Sequence, residues 1–289
     1  MPLLLNREKQ DLDVILWDKE TPCDREWLLK NAPGASALIV LVTDKVDAEL
    51  LDAAGSKLRV VSTMSVGYEH IDAKEVAKRN LKLGYTPDVL TDAVADISIM
   101  LALMAGRNAR ETMTIVNDGR WPEYNWSPFL FCGRQLSASR SSTTRTAGFI
   151  GFGRIAQATL ARLVPFGFTH CLYTSNPSSK PKPTRDSQLA STLRLQSIKR
   201  VDLATLAEES DVVFVLAPGG DETRNLVDVE FLRKMKKRAV LVNTSRGTLV
   251  DSDALATALR EGWIWGAGLD VVAGEPKIAA DHPLVKEPK

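Results

Sequence analysis

Short apolar runs alternate with amphipathic stretches along most of the chain, and the period of each run predicts its element. In the first third, strands are predicted over 14–17, 37–41 and 58–63, interleaved with helices over 24–30, 48–54 and 73–80. A short strand over 82–84 leads into Thr86 and Pro87. A long helix is then predicted from Thr91 or Asp92, either of which can cap it, to about Ala105. Its interior from Ile97 to Met104 is apolar on all sides, the pattern of a helix buried over most of its surface. The periodicity lapses over 117–134, read as a loop, and over 136–146, a Ser, Thr and Arg-rich stretch read as a flexible linker. The second half resumes with strands over 147–150, 170–174, 211–217, 239–243 and 265–270. Helices over 154–165, 227–235 and 252–260 and a polar loop over 175–186 lie between them. Strand and helix in alternation predict parallel α/β sheets with helices on both faces. The change near 91–92 divides the chain into domains of 1–91 and 92–289.

Composition narrows the picture. The chain has 289 residues, 44% hydrophobic and 25% charged, so it can bury a core in one large or two ordinary domains. Lys and Arg number 37 against 36 Asp and Glu, which leaves no basic surplus for nucleic acid or an anionic membrane. No apolar run is long enough to span a bilayer, and residues 3–5 are too few for a signal peptide. Cys23, Cys132 and Cys171 are scattered and fit neither a disulfide framework nor a metal site. A reducing, cytoplasmic setting and no metal are expected.

The strongest local signal is Gly148-Phe-Ile-Gly151-Phe-Gly153-Arg154-Ile155-Ala156, directly after an apolar strand and before a helix. Gly151 permits a tight turn, Gly153 lets backbone approach a pyrophosphate, and Ala156 allows close helix–strand packing. Free N–H groups at the helix start then face the phosphates. About 20 residues on, NAD sites place an acid for the ribose 2′-OH. Here the strand ends Tyr173-Thr174-Ser175-Asn176-Pro177 without one, and Lys180, Lys182 and Arg185 follow. Cations suit a 2′-phosphate, so NADPH is the preferred cofactor and NADH the alternative, although a solvated polar loop reads almost as well. Val240-Leu-Val-Asn243-Thr244-Ser245-Arg246-Gly247 ends an apolar strand in an arginine whose planar fork fits a carboxylate. Gly268-Leu-Asp270-Val-Val-Ala-Gly-Glu275-Pro276 puts two carboxylates past the last strand, and Glu275 has the chemistry to orient a histidine. Ser65-Val66-Gly67 offers a glycine turn with backbone N–H groups for a small anion. Taken singly, these last three also read as a surface arginine, loop acids and an ordinary turn.

Taken together, the motifs resemble the D-isomer-specific 2-hydroxyacid dehydrogenase family from about Ala35 onward. The likeness rests on Ser65-Val66-Gly67, Gly84-Tyr-Thr-Pro87-Asp-Val-Leu-Thr-Asp92, the glycine fingerprint, Asn243-Thr-Ser-Arg246-Gly247 and Gly268-Leu-Asp270 with Glu275-Pro276. Thr63-Met-Ser-Val-Gly67 and Asp281-His282-Pro283-Leu284 point within it to the branch acting on glyoxylate and hydroxypyruvate. The resemblance implies a Rossmann-type dinucleotide domain beside a flavodoxin-like substrate domain. It implies hydride transfer from a nicotinamide to the keto carbon of a small 2-keto acid. Arg246 would hold the substrate's carboxylate and keto oxygen, and the backbone at Val66 and Gly67 would hold the carboxylate. Arg154 and Ile155 would cradle the pyrophosphate, Ser175, Asn176 and Thr244 would also bind the cofactor, and Asp270 would sit near the nicotinamide carboxamide. Glu275 would support the catalytic histidine. Trp126 would reach the partner subunit's site, and the helix after Asp92 would form a homodimer interface.

The chain also departs from the family pattern. The family's catalytic histidine follows the Glu-Pro pair in a motif that does not occur before Lys289. Of the three histidines, His70 and His170 are read as structural and His282 as a surface loop residue. The expected reading is an incomplete substrate domain, with a weak start over 1–12 and no C-terminal return. Two alternatives follow from this. One is a catalytically impaired dinucleotide-binding or dimerising protein, like the family's corepressor sensors. The other is a fragment that does not fold.

Overall fold

The structure, a computed structural model, describes residues 12–126, 131–140 and 143–287. The chain divides into two compact units, Met1–Val89 and Leu90–Lys289.

The first unit alternates helix and strand: α1 (Arg25–Asn31), β1 (Ala37–Val40), α2 (Ala48–Ala54), β2 (Val60–Thr63), α3 (Ala73–Lys78) and β3 (Lys82–Gly84). Asp24, Asp47 and Asp72 each accept first-turn N–H groups of the helix that follows, which is why the helices start where they do. The strands pair in parallel in the order β1-β2-β3. Leu38, Val40, Leu50, Leu51, Val61 and Val76 form the core. The strand expected over 14–17 does not form. Among the described residues, 12–18 have no ladder partner. Trp17 instead sets its ring edge-on against Trp27 at 5.3 Å and bonds the Thr21 carbonyl.

In the second unit, α4 (Thr91–Gly106) and α5 (Ala109–Asn117) precede an alternating series. It runs β4 (Thr146–Ile150), α6 (Arg154–Leu163), β5 (His170–Thr174), α7 (Pro183–Leu193), β6 (Ser197–Arg200), α8 (Leu203–Glu209) and β7 (Val212–Val215). It continues with α9 (Val229–Lys234), β8 (Val240–Asn243), α10 (Ser252–Glu261), β9 (Gly266–Leu269) and α11 (Pro283–Lys286). All six strands are parallel, in the order β6-β5-β4-β7-β8-β9, the doubly wound dinucleotide order with its switch point beside β4. β7 and β8 are buried at every position. Val213, Val215 and Leu241 face one apolar cluster, and Val212, Phe214, Val240 and Val242 the other, so helices cover both faces.

Several expectations need correcting. α4 is not capped by Thr91 or Asp92. Both lie inside it, and Asp92, with Asp96, is engaged by Arg162 at 2.9 and 2.6 Å. Nor is α4 buried all round: Ala95, Ser98, Ile99 and Ala102 face the core while Met100 is about half exposed. The stretch over 136–146 is anchored where it is described. Leu136 is buried, Ala138 N–H bonds the Phe166 carbonyl, and Arg145 reaches the Leu136 and Ser137 carbonyls. The polar loop expected to Asp186 ends at Lys182, because Pro183 starts α7 at a position where its missing N–H costs nothing. The pattern also passed over α5, β6 and α8. β6 (Ser-Ile-Lys-Arg) is a polar edge strand, and only Asp202, capping α8 through Thr205 N–H, signals the helix after it.

Candidate active site

The carboxyl ends of parallel strands share one edge, where open α/β sheets bind ligands. After β4, Gly151 takes φ +88° and its N–H bonds the Thr174 carbonyl, joining the β4 and β5 turns. A Cβ there would stand 2.8 Å from the Ala217 backbone, so a glycine is required by this chain's own packing. Gly153 differs. Its backbone is extended, it precedes α6 with no side-chain cap, and a Cβ would meet nothing within 4 Å. Space kept open beside uncapped helix N–H groups fits a pyrophosphate held by Arg154 and Ile155. Ala156 is fully buried, which a small residue at this position permits.

After β5, the turn from Ser175 is closed upon itself. Asn176 Oδ1 accepts from Ser178 N–H and Oγ–H at 2.9 and 2.6 Å, and the Ser175 and Ser179 hydroxyls lie 3.1 Å apart. Arg200, from β6, donates to the Ser179 and Asn176 carbonyls at 2.7 and 3.0 Å. The sequence shows no acid at this strand end, yet Asp186 returns to it from α7. Asp186 is buried, accepts from Tyr173 Oη at 2.7 Å and pairs with Arg185 at 2.6 Å. Burial, then the bond to Asp186, pushes the Tyr173 phenol up to about 12. Arg185 lies over the Phe152 and Tyr173 rings, 5.1 and 5.3 Å from their centroids, which places a guanidinium beside the fingerprint. This network joins residues 152, 173, 185 and 186, and no local pattern signals it.

After β8, Asn243 is fully buried and holds the turn together. Its Oδ1 accepts from Ser245 N–H and Oγ–H, and its Nδ2 donates to the Arg246 carbonyl at 3.0 Å. Thr244 Oγ1 lies 2.8 Å from Ser98 Oγ on α4. Arg246 Nη1 bonds the Ser245 carbonyl at 2.9 Å, and Gly247 is pressed against the Val272–Ala273 peptide. After β9, Asp270 N–H bonds the Asn243 carbonyl at 3.0 Å, and exposed Glu275 accepts from Val272 N–H at 3.2 Å. Arg246, Thr244, Asp270 and Glu275 therefore share the sheet edge with the fingerprint.

In the first unit, the turn after β2 is fixed by a hydrogen-bond relay. Ser65 Oγ donates to the Gly67 carbonyl at 2.6 Å. Thr63 Oγ1 stands 2.7 Å from Ser65 Oγ and 2.9 Å from His70 Nε2. With the Ser65 proton committed, Thr63 donates to Ser65 and His70 Nε2–H donates to Thr63. Val66 and Gly67 are half-buried on this turn. Elsewhere, His170 Nδ1 meets Thr169 Oγ1 at 2.9 Å, and His282 Nδ1 accepts from Leu284 N–H to cap α11. Trp126 is three-quarters exposed.

The chain resembles known proteins along nearly its whole length. The signature of the D-isomer specific 2-hydroxyacid dehydrogenase NAD binding domain matches residues 99–289, and that of the same family's catalytic domain matches residues 2–164. Glyoxylate reductase of Thermofilum pendens is 40% identical over 283 residues, covering 98% of this chain and 78% of that protein. Human glyoxylate reductase/hydroxypyruvate reductase is 39% identical over 275 residues, covering 95% and 78%. Among solved structures, a protein from Thermus thermophilus superposes with a TM-score of 0.83 at 35% identity, covering 100% of this chain and 84% of that one. The NADPH-dependent glyoxylate/hydroxypyruvate reductase of Sinorhizobium meliloti, in complex with NADP and malonate, gives 0.77 at 29% identity, covering 100% and 81%. The chain belongs to the D-isomer specific 2-hydroxyacid dehydrogenase family.

Proposed function

We propose that the protein reduces a small 2-keto acid, glyoxylate or hydroxypyruvate, to its 2-hydroxy acid with NADPH. The carrying observation is the single sheet edge that bears the Gly151–Gly153 turn, the Thr174–Asn176 turn, Arg246 and Asp270. The reductases named above, similar along nearly the whole chain, support it. A nicotinamide held at this edge would supply the hydride that, with one proton, reduces the keto carbon to the alcohol.

Arg246 binds the substrate's carboxylate and draws charge from the keto oxygen through charge-assisted hydrogen bonds. The turn that Ser65, Thr63 and His70 hold carries Val66 and Gly67, whose backbone N–H groups have the chemistry to bind a carboxylate. Arg154 and Ile155 present the first N–H groups of α6 to the pyrophosphate. Ser175 and Asn176 face the adenosine ribose, Thr244 and Asp270 orient the nicotinamide, and Glu275 orients the proton donor. The preference for NADPH rests on the turn after β5, which offers hydroxyls and nearby Arg185 and Arg200 and, among the described residues, no free acid. The chain acts as a homodimer, with exposed Met100 and Trp126 among the residues of the second unit available to a partner. Its three thiols are free, which suits a reducing compartment such as the cytoplasm.

The test is oxidation of NADPH and NADH by the purified chain with each keto acid. Turnover with NADPH favoured is expected, and Arg246→Ala lowers kcat/KM by about 10²–10³-fold, the scale of a lost bidentate ion pair. Tight dinucleotide binding without turnover of either acid would replace the reading with that of a dinucleotide-binding protein.

A further inference from the structure

At the amino-terminal edge of the six-stranded sheet, away from the fingerprint, three arginines converge on a small cavity. Arg134 comes from the stretch after α5, Arg145 from the residue before β4, and Arg238 from the turn before β8. The cavity is about 40 Å³, bounded also by Leu136, Asp211 and Val240. One water needs only about 10–15 Å³.

Charge here is one-sided. Lys236 adds a fourth cation, and Asp211 is the acid lining the cavity. That carboxylate is already committed: Oδ2 accepts from Thr146 N–H at 2.8 Å and Oδ1 pairs with Lys236 at 3.2 Å. Arg145 spends donors on the Leu136 and Ser137 carbonyls. Arg134 is held by its backbone N–H on the Gly106 carbonyl and by the Trp265 ring, 5.8 Å from the guanidinium. Its Nη1 is buried and has no hydrogen-bond partner among the described residues. Burial, then the like charges of Arg238 and Arg145, lowers the pKa of Arg134, and Asp211 alone opposes. Buried donors in folded proteins are paired, and guanidinium forks fit oxyanions in particular.

We propose that this cavity is an anion site for a small tetrahedral oxyanion of the phosphate or sulfate class, held by Arg134 and Arg238 with Arg145 completing the positive wall. A bound oxyanion would tie residues 134–136 to the starts of β4, β7 and β8. The site lies wholly in the second unit and is independent of the reductase reading.

The test is thermal unfolding of the full chain at constant ionic strength, with chloride replaced stepwise by phosphate. At about five times the dissociation constant, linkage raises Tm by about 2–4 °C. Sulfate reproduces the rise. Arg134→Met and Arg238→Met abolish it, and Arg134→Met without phosphate melts no lower than the parent, because a like-charge conflict is gone. Arg238 is exposed, so its variant tests the site even if the other does not fold. Chloride alone matching phosphate, or acetate matching it, would overturn the assignment. So would an undiminished rise in the variants, which would seat phosphate elsewhere, as at the fingerprint.

Discussion

Both sheets are parallel and both come from the same alternation of strand and helix, yet they bury themselves differently. In the six-stranded sheet, successive residues of β7 and β8 feed two separate apolar clusters, one on each face. In the three-stranded sheet, β1 alternates exposed and buried. Leu38 and Val40 enter the core while Ile39 is 55% exposed, with Leu41, Val42 and Met64 also exposed nearby in the chain. A run of apolar residues therefore does not report how many faces are covered. That depends on whether helices pack on one side or two, which is a property of the connections.

Mutations on the two sheets put this contrast to the test. The largest effect is expected in the two-faced core. Phe214 is fully buried and stacks on Phe149 at 5.3 Å, so Phe214→Ala should cost about 3–5 kcal/mol in denaturant titration. Next come the two fingerprint glycines, which look alike in the sequence. Gly151→Ala forces a left-handed residue against the Ala217 backbone and should cost about 1–3 kcal/mol. Gly153→Ala meets no protein atom, so stability should hold while dinucleotide affinity, read by fluorescence titration, falls about tenfold or more. Equal behaviour of the two variants would remove the distinction between a packing glycine and a ligand glycine.

In the first unit, burial raises the Asp47 carboxyl, but bonds from Arg25, Leu50 N–H and Lys45 bring it down to about 2. A depressed acid stabilises the fold above its unfolded pKa and loses that contribution as pH falls through the folded value. Asp47→Asn keeps an acceptor for Leu50 N–H but loses the charge that Arg25 and Lys45 pair with, and should cost about 1–2 kcal/mol at neutral pH. The gap to the parent should close between about pH 4 and about pH 2. The smallest effect is expected on the open face, where Ile39→Thr should change stability by less than about 0.5 kcal/mol. A loss above about 1 kcal/mol would mean that this face is buried too, and the contrast between the sheets would fail.

Much of the second unit was legible because its signals are local. The fingerprint is nine consecutive residues, β7 is an unbroken apolar run, and β8 is apolar up to Asn243. The strand expected at 14–17 shows the limit. Its residues are apolar enough, but a strand exists only where a neighbour supplies a ladder, and Trp17 finds Trp27 instead. The missed β6 fails the other way: Ser-Ile-Lys-Arg looks like a loop, and pairing with β5 makes it a strand.

The alternation, the dinucleotide turn and the residues at strand ends are written in the chain itself, because each depends on neighbours within a few positions. Which acids are free is settled only in the folded molecule. Asp186 is absent from the strand end in sequence, yet it sits under Tyr173 and is neutralised by Arg185. Folding also brings Arg134, Arg145 and Arg238, up to 104 positions apart, to one cavity. Electrostatic and hydrogen-bond partners are chosen by distance in space, and only the folded sheet sets that distance.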